Sequence, residues 1–402
     1  MIASPSDRPA VRAARKNLRR AVLFVAISVF LPLMATWASA QTLTVLHSFS
    51  AKADGAFPYG GLVMDPAGNL YGTTSTGGRY KDGTIYKIDT SGKMTVLHQF
   101  TRKEACSSFA PLLIDKHGNL YGTAFSCGIP IAEGIGTVFE LKATGRLVVL
   151  HAFGSVSGDG ALPYAGLVRD AAGSLYGTTS VGGDIPYGAG TVFKIDRNTG
   201  AETVLHNFAN IPDGAFPSCR LLIDSAGNLY GTTEIGGALG GGSVFKLDSS
   251  GDETILYSFG TSSNTDGTSP VSGVIRDSDG NFYGTTAAGG SYDYGTIYKI
   301  DANGNEVLLH SFDGTNGGNP YAGLVRDLSG NLYGTTYLGS SYNAGVLFKL
   351  DPAGAFTILH TFTGPEGSGA YDGAILDKSG NLYGTTVYGG DYGYGVVYKL
   401  TP

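Results

Sequence analysis

The sequence says the same thing seven times. The phrase GNLYGTT stands at residues 68–74. It returns as GNLYGTA at 118–124, GSLYGTT at 173–179, GNLYGTT at 227–233, GNFYGTT at 280–286, and GNLYGTT at 330–336 and 380–386. Successive copies lie 50 to 55 residues apart. A unit this short cannot bury an apolar face alone and must stack on its neighbours. Helical repeats carry a 3.6-residue apolar period, which these units lack. Each unit instead holds short runs rich in aromatic and β-branched residues, cut by turns of Gly, Pro, Asn and Ser, which is a strand-and-hairpin pattern. Four strands per unit fit the blade of a β-propeller.

The first unit illustrates the reading. Residues 61–65 form a short inner strand, 70–74 a second, 84–89 a third and 94–100 an outer one. Tight turns at 66–69 and 90–93 join the first pair and the last pair, and a Gly-rich loop joins the middle two. The outer strand carries a VLHxF phrase. That phrase also opens the repeat region at 42–50, TLTVLHSFS, with no unit before it, while the last unit stops at GVVYKLTP without one. An open array would expose a strand edge at each end. The offset is resolved if residues 42–49 are the outer strand of the seventh blade. The expected fold is therefore all-β, a seven-bladed propeller of four-stranded blades closed by its N-terminal strand, with residues 41–402 as one domain.

Residues 1–40 differ from the rest. Arg8, Arg12, Arg15, Lys16, Arg19 and Arg20 precede an apolar run at 21–37 and a small-residue site at 38–40. This reads as a cleaved secretory signal peptide, the run being short for a membrane span. Export to the periplasm, cell surface or exterior follows, as does a mature chain without a transmembrane helix. Residues 41–402 then hold 21 basic and 32 acidic side chains, a net charge of −11. Without basic clusters this is a poor nucleic-acid ligand.

The pattern GNLYGTT…GT[IV][YF]K[IL]D…TVLHxF resembles the GloVer tandem repeat of bacterial exported proteins known as choice-of-anchor proteins, over essentially all of 41–402. The resemblance implies export and a repeat fold. It carries no agreed activity and so transfers no catalytic residues. The C-terminal sorting anchor usual in that family has no counterpart before Thr401 and Pro402.

Residues that recur in every copy read as scaffold. Six histidines, His47, His98, His151, His206, His310 and His360, share one outer-strand position, with Tyr257 in the remaining copy. Sevenfold symmetry spreads them around the rim, so packing or hydrogen bonding is expected, and no metal. The Asp ending each inner strand, from Asp65 to Asp377, suits an Asx-type turn. Asp277 and Asp279 stand close together but lack the further oxygens of a calcium loop. The third-strand lysines, Lys87 among them, are expected to pair with these aspartates.

A site is expected where copies differ, on the face carrying the long loops. Cys106 and Cys127 fall on that face of the second blade and are expected to form a disulfide, leaving Cys219 alone and buried. Tyr59, Tyr164, Tyr321 and Tyr371 precede the inner strands of four blades, near the channel mouth. Tyr292 and Tyr392, with Tyr80, Tyr187, Tyr294, Tyr342 and Tyr394, lie in the loops between second and third strands. A tyrosine offers a ring and a hydroxyl to sugars or proteins, or packs its own loop. Tyr59, Tyr164, Tyr321, Tyr371, Tyr292 and Tyr392 are the candidate ligand contacts. Arg220, Asp213 and Asp372 are scattered polar candidates without a pattern. No nucleophile with a nearby base and no metal-ligand spacing stands out, and no cofactor is called for. Quinone-cofactor propellers are also disfavoured, the only Trp being Trp37. The reading is a monomeric, non-catalytic exported module that binds a polysaccharide or protein through the long-loop face. The alternative is a lyase or hydrolase acting at the channel mouth.

Overall fold

Every layer of the molecule traces back to one letter of the repeat. The structure is a computed structural model, described here for residues 41–128, 134–184, 188–197, 199–260 and 266–402; the signal-peptide reading lies outside them. Residues Ala40–Pro402 form one unit. Among the described residues there are seven four-stranded antiparallel sheets, one per repeat, and no helix is long and apolar enough to cross a membrane. In the first blade the strands are Val63–Met64, Leu70–Thr74, Thr84–Ile88 and Met94–Gln99, from the axis outward. The inner strand is shorter than expected, only two residues pairing.

The ring closes as the sequence requires. The N-terminal strand Thr42–Ser48 pairs antiparallel with the last strand, Val396–Thr401, in register from Thr42 opposite Thr401 to Ser48 opposite Val396. A bulge interrupts this pairing between Val45 and His47, and its equivalent recurs in the other six blades. The extra residue, such as Leu97, breaks the period-two alternation. In a regular strand Val and His of VLHxF would share one face with Leu on the other, and the bulge releases the phrase from that alternation.

The terminal Phe of that phrase is the main filling between blades. Phe49, Phe100, Phe208, Phe259, Phe312 and Phe362 are fully buried. Each core cluster joins two neighbouring blades; the closing one combines Phe49 and Val397 with Leu62, Leu70, Tyr86 and Ile88. Burying one such ring contributes roughly 1.5–3 kcal/mol.

The Gly of LYGTT lets the third-strand aromatic ring lie against the second strand. At Gly177 an added Cβ would stand 2.6 Å from Phe193 Cζ and 3.0 Å from Leu167 Cδ2. The Gly177→Ala variant is expected to lose about 1–3 kcal/mol through overpacking, read as a lower urea midpoint at unchanged slope.

The first Thr of GTT bonds blade to blade around the channel. Thr123 Oγ1 donates to the Ala165 carbonyl at 2.9 Å, Thr178 to Cys219 at 3.2 Å and Thr232 to Ser272 at 2.9 Å. Thr385 donates to Gly60 at 3.3 Å, across the seam of the ring.

The repeat aspartates form the expected turns. Asp65 Oδ1 accepts the Ala67 and Asn69 amides at 3.0 and 2.9 Å, while Oδ2 accepts Asn69 Nδ2 at 2.7 Å and the Tyr71 hydroxyl at 3.0 Å. Burial raises its pKa, but the bonds from Asn69, Tyr71 and Ala67 outweigh that and hold it below the ordinary value. Asp115, Asp224, Asp277, Asp327 and Asp377 are lowered in the same way. Stability from these turns is complete above the unfolded carboxylate value of about 3.9 and is lost as pH falls through the depressed values. Thermal melts across pH are expected to show a steep fall below about pH 4, and Asp327→Asn to make that fall shallower.

The lysines do not pair with these aspartates. Lys87, Lys194 and Lys399 lie 5.6, 5.6 and 5.7 Å from the ring centroids of Tyr71, Tyr176 and Tyr383. The carboxylate is satisfied by the Asn69 amide group and the Tyr71 hydroxyl, and the ammonium lies by the ring face instead. Where Glu140 replaces the lysine, the cation comes from the next blade. Arg169 lies 5.6 Å from the Tyr121 centroid and 3.7 Å from Asp115.

The Cys106–Cys127 disulfide is present, with Cα atoms 5.4 Å apart, within the usual span for a bridge. Cys219 is free and buried, as expected.

Candidate functional site

Seven short inner strands converge on the propeller axis and enclose a cavity of ≈ 760 Å³. That is the size of a small-ligand site. Its composition follows from three positions where the repeat is broken.

The first position precedes each inner strand by a few residues. In blade order it reads Tyr59, Phe109, Tyr164, Ser218, Val271, Tyr321 and Tyr371. Five blades supply a ring, and blades four and five do not. The rings form one wall. Tyr59 packs on Phe109 and Tyr371 at centroid distances of 5.1 and 5.3 Å, and Phe109 on Tyr164 at 5.2 Å. Tyr321 stacks on Tyr371 at 5.2 Å, and the Tyr164 hydroxyl donates to that of Tyr371 at 2.8 Å. Burial first, then neighbouring tyrosines, push the Tyr59 and Tyr371 hydroxyls up, so both stay neutral donors. The wall is open over blades four and five.

Behind that opening stands Arg220. Its equivalents are Gly61, Pro111, Gly166, Gly273, Gly323 and Gly373, so only this blade places a charged side chain there. Protein walls Arg220 on nearly every side, yet the residue is exposed to the cavity it lines. Among the described residues its guanidinium makes no hydrogen bond and no ion pair within 4.0 Å. Burial lowers its pKa, opposed by Asp372; an arginine stays charged regardless.

Asp372 is the second break. Its equivalents are Gly60, Ala110, Ala165, Cys219, Ser272 and Ala322. It accepts the amides of Gly61 and Gly373, each at 2.7 Å, bridging the seventh blade to the first. Burial raises its pKa, and these two amides and Arg220 oppose the rise. Glu234 is the third break, following the GTT of blade four where other blades carry Ser75, Phe125, Ser180, Ala287, Tyr337 and Val387. Its pKa is raised by burial. All three charged residues line the same cavity with Tyr164, Tyr321 and Tyr371. The arrangement offers a cation with free donors, two carboxyl groups and an aromatic face.

Of the sequence candidates, Tyr59, Tyr164, Tyr321 and Tyr371 come together. Tyr292 and Tyr392 take no part in that cluster and are about 60 % exposed on their loops. Tyr80, Tyr294, Tyr342 and Tyr394 are also exposed, and Tyr187 lies outside the described residues. Asp213 is not in the channel; its carboxylate accepts the Ala209 amide and stands 3.3 Å from His206. Glu234, Phe109 and Tyr337, whose ring lies 5.5 Å from that of Tyr321 and 6.0 Å from that of Tyr371, were missed. All three were within reach, since aligning the seven copies column by column shows Glu234 as the only charge in its column.

The fold and this cavity define the class: a seven-bladed propeller with a polar, aromatic-walled channel mouth. Residues 35–224 and 219–402 match the Gloeobacter/Verrucomicrobia repeat. The chain belongs to that family. Among curated proteins, none matches the sequence. Among solved structures, the extracellular domain of BT3049 from B. thetaiotaomicron, described as a hybrid two component system, aligns with a TM-score of 0.56 at 14% identity, over 90% of this chain and 41% of that one. The extracellular domain of BT4673 from the same organism, described as a one component system, gives 0.54 at 9% identity, over 89% and 40%. This chain thus spans about two fifths of either neighbour. The likeness supports the propeller fold alone.

Proposed function

We propose that this protein is an exported binding module that takes a polysaccharide, end-on or by a side branch, into the channel mouth on the long-loop face. The observation that carries the reading is the convergence on one cavity of Arg220, Asp372 and Glu234, each the one charged residue in its repeat column, beside a wall of tyrosines. Sugar rings stack on aromatic faces, and their hydroxyls exchange hydrogen bonds with carboxylate and tyrosine groups. Arg220, whose guanidinium has no hydrogen bond or ion pair within 4.0 Å among the described residues, favours an acidic saccharide over a neutral one. Export is supported by the apolar run at 21–37, by the disulfide, which persists in oxidising compartments, and by the extracellular setting of the two structural neighbours. The test is a glycan array of acidic and neutral polysaccharides probed with residues 41–402. Retention of acidic members supports the reading; retention of none opposes it.

A second reading is favoured by the carboxyl groups themselves. Burial raises both Glu234 and Asp372, and a shift in that direction suits a general acid. On that reading the module is a lyase or hydrolase. Release of unsaturated or reducing ends from a bound polysaccharide, lost in Glu234→Gln, would establish it.

A further inference from the structure

We propose that the junctions between blades two and three and between blades three and four each bind a divalent transition-metal ion, zinc first, on one histidine and two carboxylates.

The seven blade junctions are built alike and serve as one another's controls. Each brings together the outer-strand histidine position, an acid in the following loop, and a residue at the start of the next outer strand. The acid stands beside the histidine at five junctions: His47 with Asp54 at 3.2 Å, His98 with Glu104 at 3.2 Å, His151 with Asp159 at 3.1 Å, His206 with Asp213 at 3.3 Å and His360 with Glu366 at 3.3 Å. The third position varies. It is apolar at four junctions: Met94, Leu147, Phe356 and Leu43. Glu306 occupies it at a fifth, but Tyr257 replaces the histidine there. Among the described residues only two junctions hold the full set: His151, Asp159 and Glu202, and His206, Asp213 and Glu253.

Packing accounts for the apolar residues and leaves the two glutamates unexplained. Each puts a second carboxylate beside one already engaged, in a site that an apolar side chain fills elsewhere. The Asp159 side chain is wholly buried, and its Oδ1 has no hydrogen-bond partner among the described residues. Glu202 Oε1 and Glu253 Oε1 are also buried without one. Buried like charges need a cation or a proton between them.

The geometry suits a cation. In each trio the ligand atoms lie within 4.8 Å of one another, and His206 Nε2 stands 3.3 Å from Asp213 and 3.8 Å from Glu253. Donors about 2.1 Å from a tetrahedral zinc stand roughly 3.4 Å apart. One nitrogen with two carboxylates points away from calcium or magnesium, which take oxygen alone. Three protein ligands leave one position for water. Each ion would tie two outer strands together, and the loop closed by Asp213 runs on to Arg220.

The test uses residues 41–402 stripped with EDTA and titrated with zinc by calorimetry, with bound metal measured after dialysis. Two equivalents are expected for the parent, one for Glu202→Leu, and none for Glu202→Leu/Glu253→Leu. The replacement copies Leu147, so these variants should melt in EDTA no lower than the parent. Zinc should raise the parent's thermal midpoint by about 2–4 °C and leave the double variant unmoved. Two equivalents surviving in the double variant would overturn the assignment. So would a parent that binds no zinc while Glu202→Gln raises its midpoint at pH 7.5, because the carboxylates would then be sharing a proton.

Discussion

Removing residues 42–49 is expected to leave a protein that aggregates, with any soluble fraction melting about 10 °C or more below the parent. Two losses combine. The third strand Val396–Thr401 becomes an unpaired edge, the exposed template that ring closure removes. The closing core loses Phe49, which is fully buried and packs edge-on against Tyr86 at 5.1 Å. Phe49→Ala isolates the second loss. It should cost about 3–5 kcal/mol, the usual range for a buried aromatic, and leave the strand pairing intact. Exposed Val307→Ala serves as the control and should change little. Differential scanning calorimetry of the three proteins separates edge from core: the deletion should scatter light on heating, whereas Phe49→Ala should unfold earlier but in solution. A deletion as stable and soluble as the parent would mean that the seventh blade holds without its fourth strand.

Arg220→Ala is expected to weaken saccharide binding by roughly 10- to 100-fold. A hydrogen bond to a charged group is worth about 1.5–3 kcal/mol, and each 1.4 kcal/mol is tenfold. Stability should not fall, because Arg220 has no hydrogen bond or ion pair within 4.0 Å among the described residues, and the glycine found at this place in most blades shows that the fold needs no side chain there. Calorimetry against an acidic oligosaccharide retained on the array gives the affinity, and a melt confirms folding. Tyr371→Phe keeps the ring, removes the hydroxyl that meets Tyr164, and is expected to have a smaller effect. Equal affinity in parent and Arg220→Ala would place the ligand elsewhere.

Much of this molecule is legible in its sequence because symmetry does the work. Seven copies of GNLYGTT determine the blade, and the displaced VLHxF phrase determines how the ring closes. The aspartate turns were legible for the same reason, their chemistry being local. The lysines were misread because the carboxylate is satisfied by Asn69 and the Tyr71 hydroxyl, and Tyr71 is pointed there by strand pairing that the sequence does not display. The channel mouth lies between these cases. Arg220 and Asp372 are far apart in sequence and look scattered along the chain. They line one cavity because the residues that lead into each inner strand face one axis, so a column of the repeat is also a layer of the channel. Tyr292 and Tyr392 were grouped with the mouth by face alone, and face does not specify radius.

The central claim is that ligand enters between the tyrosine wall and the gap over blades four and five. Hydrogen–deuterium exchange of residues 41–402, with and without the acidic oligosaccharide at saturation, tests it most directly. Slowed exchange is expected in peptides covering 216–222, 234–236 and 369–373. Protection confined to the loops bearing Tyr292 and Tyr392, or to the short turns at 65–69 and 89–93, would contradict it.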